Sequence, residues 1–101
     1  MALFREFGYK LGIAIALEAL AQVSIVQGDV SHAVMLFATA HILRQVIGAP
    51  LPPIDRDAYD SAIANSRAQL GDGVFTDFWA RTAVRPYEEV VEEILGKQKA
   101  S

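Results

Sequence analysis

Residues 13–47 read IAIALEALAQVSIVQGDVSHAVMLFATAHILRQVI, and this stretch decides the fold. In its first half, Ile13 to Gln27, only Glu18, Gln22, Ser24 and Gln27 are polar, so apolar side chains surround nearly the whole helical cylinder. A helix of that kind has to be covered on more than one side. Gly28 then supplies a residue suited to a left-handed helix end, and Asp29 a carboxylate that can accept from the free amides opening a second helix. In the second half Ala33, Leu36, Phe37, Ala40, Leu43 and Ile47 recur at steps of three and four, which makes one apolar stripe. Small residues at Ala33 and Ala40 flank the bulky Phe37. That alternation predicts two helices packed closely with one ring filling the gap between them.

Small, aromatic, small at this spacing, after a turn glycine and the earlier Leu20-Ala21 pair, resembles the tetratricopeptide repeat pattern. A window of about 34 residues, the length of that repeat, runs from Ala14 to Ile47. The tryptophan, tyrosine and closing proline of the repeat consensus are absent.

On the N-terminal side, Ala2 to Phe7 carries Leu3, Phe4 and Phe7 at helical spacing and Gly8 offers a stop, so a short separate helix is expected before the one that starts at Gly12. On the C-terminal side, Gly48-Ala49-Pro50-Leu51-Pro52-Pro53 breaks the pattern, because each proline removes an amide donor and extends the residue before it. Asp55 is placed to cap a third helix that buries Tyr59, Ala62, Ile63, Ser66 and Leu70 and stops at Gly71. Asp72 is placed to cap a fourth, in which Val74, Phe75, Phe78 and Trp79 form an aromatic plug. Pro86 fits the first turn of a fifth, with Tyr87, Val90, Val91, Ile94 and Leu95 on its apolar face and Glu88, Glu89, Glu92 and Glu93 on the solvated one. Gly96 ends it, and Lys97 to Ser101 reads as a frayed tail.

The resemblance extends beyond one repeat. Leu-Gly-Ile-Ala from Leu11, Leu-Glu-Ala-Leu-Ala from Leu17, Gln27-Gly28-Asp29, Leu36-Phe37, Gly-Ala-Pro-Leu-Pro-Pro from Gly48, Arg56 with Tyr59, Arg67 with Leu70-Gly71, Phe75, Trp79-Ala80 and Glu88-Glu89 together look like the C-terminal end of large bacterial signal-transduction ATPases. That group includes many LuxR-type transcriptional regulators, in which an ATPase domain is followed by tetratricopeptide-like repeats. The sequence departs from it at Pro86, where a serine or threonine cap is usual, and at His41, where an acidic residue is usual. The resemblance aligns Ala2 to Gly8 with the tail of a preceding repeat, so it implies a fragment or a detached cap. It also implies an interaction or sensor-coupling role and brings no catalytic residue with it. No Gly-x-x-x-x-Gly-Lys-Ser/Thr loop is present to hold a nucleotide.

Composition narrows the remaining classes. The chain has 101 residues, 52% of them apolar and 21% charged, which is a globular composition with room for one core. Nine basic residues against twelve acidic ones give a net charge of −3, and the basic ones form no stripe, so direct nucleic-acid binding is not expected. Cysteine is absent, which removes disulfides, thiolate metal sites and a cysteine nucleophile. The start Met-Ala-Leu-Phe-Arg-Glu does not have the order of a signal peptide. The Leu11 to Val26 run is short for a bilayer and carries Glu18 and Gln22, so a cytoplasmic location without a membrane span is expected.

Few residues invite chemistry. His32 and His41 stand nine positions apart, about 900° of helical turn, and so face opposite ways. The glutamates at 88, 89, 92 and 93 lack the turn residues of a calcium loop, and Asp55, Asp57 and Asp60 read as helix-dipole complements. The serines Ser24, Ser31, Ser61 and Ser66 have no matched histidine and carboxylate. No catalytic, cofactor or metal residues are assigned.

The expected fold is therefore all-α, a tetratricopeptide-like hairpin with a C-terminal capping set of about three helices. One domain spans residues 1–101: 1–47 hold the end of one repeat plus the hairpin, 48–54 the proline-rich connector, and 55–96 the cap. The expected function is that of a non-catalytic protein–protein interaction module, with Ile15, Glu18, Gln22, Ile25 and Val26 as its groove face. Its partner is expected to be a protein or a second copy of the chain, as a homodimer formed through the N-terminal helices, where Leu3, Phe4 and Phe7 add apolar surface. The alternative is a small-molecule sensor with an apolar pocket around Trp79.

Overall fold

The computed structural model describes residues 2–86 and 89–93, with side chains from residue 8 onward. Four helices run in order, α1 (Ala2–Val26), α2 (Val30–Ile47), α3 (Pro53–Leu70) and α4 (Asp72–Ala83), and residues 89–93 are again helical. No strand occurs among the described residues.

The α1–α2 turn forms as its residues dictate. Gly28 takes φ 84°, and its amide donates to the Ile25 carbonyl (3.0 Å) while the Asp29 amide reaches back to Ser24 (2.9 Å). That pair of bonds satisfies the orphan carbonyls at the end of α1. The Asp29 side chain then accepts from the His32 amide at 3.3 Å and opens α2. The same bonding recurs at Gly48, where the Ala49 amide reaches the Arg44 carbonyl at 2.9 Å.

Ala14, Leu17 and Ala21 of α1 meet Ala33, Leu36, Phe37, Ala40 and Leu43 of α2, and Ala62 and Val90 close over them. Phe37 is 1% exposed and meets Tyr59 of α3 edge-on, with centroids 5.4 Å apart. A second cluster packs Val30 and Val34 against Phe75, with Ile63, Leu70, Phe78 and Trp79 around them. The buried hydroxyls of Thr39, Ser66 and Thr82 each donate to the carbonyl four residues earlier in their own helix.

Several boundaries differ from the sequence expectation. No break occurs at Gly8, and α1 runs through it as one 25-residue helix. A helical glycine costs only about 1 kcal/mol relative to alanine, too little on its own to end a helix. Asp55 does not cap α3. The helix starts at Pro53 with Pro52 before it, because a proline's fixed φ suits the first helical position and its missing amide would be unpaired there anyway. Asp72 likewise lies inside the first turn of α4, after Gly71. Val74 points to solvent at 56% exposure, since the inward stripe of α4 runs through buried Phe75 and Thr82 and half-buried Phe78 and Trp79. Beyond Pro86, its carbonyl accepts from the amides of Glu89 and Val90, as a helix start there requires. Tyr87, Glu88, Ile94, Leu95, the stop at Gly96, the tail and the side chains of Leu3, Phe4 and Phe7 lie outside the described residues.

Candidate functional site

α1 divides its circumference unequally. Ala14, Leu17, Ala21 and Ser24 are buried, whereas Gly8, Tyr9, Gly12, Ile15, Ala16, Ala19, Gln22, Val23 and Val26 are exposed. At 100° per residue the exposed set covers an arc of about 140°, and it contains no charged side chain. By length and hydropathy, Gly8–Val26 (19 residues) and Val30–Ile47 (18 residues) are each long and apolar enough to cross a bilayer. α2 turns that apolar surface into core, with 56% of the stretch buried, but only 22% of the α1 stretch is buried.

Next to this face runs a trough with two adjoining hollows. One, of about 220 Å³, lies between α1 and α3 and is lined by Ile15, Glu18, Ala19 and Gln22 on one side and Asp55, Ala58 and Tyr59 on the other. The other, of about 510 Å³, lies among α2, α3, α4 and the connector, with Trp79, Phe75, Tyr59, Ile63, Leu51 and Pro50 as apolar and aromatic walls. Glu18, Leu51 and Tyr59 border both. Of the expected groove residues, Ile15, Glu18 and Gln22 thus line the trough. Ile25 instead packs against the core, and Val26, 87% exposed, stands at the end of α1.

At the junction of the hollows lies an ion pair that spacing arguments did not single out. Arg44 donates from Nε to Glu18 Oε2 (2.7 Å) and from Nη2 to Oε1 (2.9 Å), and from Nη1 to the carbonyls of Ala49 (3.2 Å) and Pro50 (3.4 Å). One side chain thereby ties α1, α2 and the connector together. The Arg44 and Glu18 side chains are 9% and 16% exposed. The hydrogen bond to Glu18 holds the Arg44 guanidinium above the usual arginine range, and the Glu18 and Asp55 charges add to this against the cost of burial. Burial pushes the Tyr59 phenol up, and the nearby charges of Glu18 and Asp60 raise it further. A readable signal existed: Glu18 and Arg44 are isolated opposite charges, each inside the apolar run of one of two consecutive helices.

Trp79 stacks on Phe75 with centroids 5.7 Å apart and meets the exposed His41 ring, tilted, at 5.7 Å. The Arg67 guanidinium covers the Phe75 ring at 4.7 Å. The plug is therefore packed on one side and opens on the larger hollow on the other. Among the expected solvated glutamates, Glu89 and Glu93 both meet Arg85, at 3.0 and 2.6 Å.

No family model, no curated protein and no solved structure matches the chain.

Proposed function

We propose that the chain is a non-catalytic protein–protein interaction module, the C-terminal cap of a helical-repeat array like those of bacterial regulatory ATPases, acting in the cytoplasm and docking through the open face of α1 onto a second copy of itself. The observation that carries this reading is the uncharged exposed arc of α1 from Gly8 to Val26. Apolar surface of that extent on an ordinary helix faces a core or a partner.

Three features favour a second copy as the occupant. The arc alternates small residues (Gly8, Gly12, Ala16, Ala19) with bulky ones (Tyr9, Ile15, Val23, Val26), so one face supplies both ridges and grooves, as a two-fold interface needs. It carries no charge, so two chains of net charge −3 meet there without local repulsion. A ridge about 28 Å long, paired with its copy, buries on the order of 1,000 Å² in total, the lower end of specific interfaces.

Site-directed crosslinking tests the geometry, because the chain has no cysteine of its own. Ala16→Cys, midway along the exposed stretch, is expected to give an oxidised dimer, and Asp57→Cys on α3 is not. Equal crosslinking at both positions contradicts docking through α1.

A second reading has its own observation. The cavity of about 510 Å³ beside Trp79 is in the size range of small-molecule sites and has aromatic walls with a polar end, which favours a sensor role.

A further inference from the structure

Three large side chains that the core only half covers line the hollow beside Trp79. Tyr59, Ile63 and Trp79 each pack against the hairpin core and also border this space of about 510 Å³. Leu51 and Pro50 of the connector extend the apolar wall. A body that fills the hollow against such walls is a hydrocarbon one.

The charged part of the lining is unbalanced, with the guanidiniums of Arg44 and Arg56 against the single carboxylate of Glu18. Glu18 is matched to Arg44 by two bonds, at 2.7 and 2.9 Å, so the surplus charge is that of Arg56. Arg56 is loosely held. Its Nε lies 4.0 Å from Asp60 Oδ2, beyond hydrogen-bond length, and both side chains are mostly exposed. An exposed pair of that kind contributes little, so an entering carboxylate replaces Asp60 at small cost. A second donor also lacks an acceptor. Arg44 Nη2 carries two hydrogens and makes one bond, to Glu18 Oε1, and the other hydrogen has no partner among the described residues. An unmatched charged donor in a nearly buried side chain favours an incoming oxygen. Burial raises the Tyr59 phenol's pKa while Arg56 and Arg44 both act in the opposite sense, which places the two guanidiniums near that one ring.

We infer that this cavity binds an organic monocarboxylate with a hydrocarbon body, its carboxylate at Arg56 and its body among Trp79, Ile63 and Leu51. The inference rests on the small-molecule reading of the cavity and adds the charge and class of what enters it. A planar carboxylate matches the guanidinium fork. One negative charge brings the lining to neutrality, whereas a phosphate dianion would exceed it.

The test uses three probes with one body: adamantane-1-carboxylate, adamantane-1-carboxamide and adamantan-1-ylmethylammonium, each titrated into the full chain. Trp79 is the single tryptophan, so its emission reports this cavity, and calorimetry gives the affinities. The carboxylate is expected to shift the emission and to bind at least about tenfold tighter than the amide of the same shape and than the ammonium probe. Equal or tighter binding of the amide or the ammonium probe overturns the carboxylate assignment while leaving the cavity a small-molecule site. No change in Trp79 emission with any probe at millimolar concentration overturns the small-molecule reading itself. Arg56→Gln removes the surplus charge from an exposed position whose ion pair contributes little to folding. It is expected to bring the carboxylate down to the affinity of the amide, with the amide's own affinity and the circular dichroism unchanged. Full retained carboxylate affinity in Arg56→Gln would place the binding elsewhere and overturn the proposal.

Discussion

Phe37 and the Glu18–Arg44 pair carry opposite kinds of side-chain information. Phe37 sits where its sequence neighbours place it, between small residues on a stripe, because packing along one helix is a local matter. Phe37→Ala is expected to cost about 3–5 kcal/mol in a urea unfolding experiment, as for other buried rings, and a loss below about 1 kcal/mol would show the ring is not in the core. Glu18 and Arg44 are 26 positions apart, and only the register of α1 against α2 makes them partners. Glu18→Gln removes one member of a nearly buried pair and is expected to cost about 3 kcal/mol, whereas Glu18→Leu with Arg44→Met together should cost less than Glu18→Gln alone. If the double variant is the less stable, Arg44's bonds to the connector carbonyls matter more than its charge balance. Tyr59 adds a pH dependence. Its folded pKa lies above the ordinary value of 10.0, so the unfolded chain loses the proton first. Stability should be fully present below pH 10 and fall as pH rises from there through the folded pKa, and Tyr59→Phe should flatten that fall in a thermal melt series.

Helix boundaries show which local signals dominate. The Gly28-Asp29 turn was legible because two residues act together there, a positive-φ glycine and a capping carboxylate. Gly8 misled because a lone glycine penalises a helix without ending one. At Asp55 and Asp72 an adjacent proline and glycine set the helix start ahead of the expected capping carboxylate. The continuity of α1 has a direct consequence: in the monomeric Val23→Glu background, where no second copy faces it, Gly8→Ala meets open space and removes a helix-interior glycine, so it should stabilise the fold by about 0.5–1 kcal/mol. No gain in the melting temperature would indicate that the helix ends near Gly8 after all. Ile15, Glu18 and Gln22 could be assigned to one face of α1 from spacing alone. The trough they border could not, because its volume is the space that the connector and α3 leave unfilled against α2 and α4.

Across the whole molecule, the two helices of the hairpin are about equally apolar but differ in what covers them. α2 is enclosed by α1, α3 and α4, while α1 gives its inner side to α2 and α3 and leaves an uncharged arc in solvent. An all-helical fold follows from the periodicities, but the choice of occupant for that arc does not. Size-exclusion chromatography with light scattering, on the chain at micromolar concentration, tests the central claim most directly. The account predicts a mass of about twice 11.0 kDa that reverts to a folded monomer in Val23→Glu, where a carboxylate enters the uncharged arc. A stable, soluble wild-type monomer of 11.0 kDa, or a dimer indifferent to Val23→Glu, would contradict it.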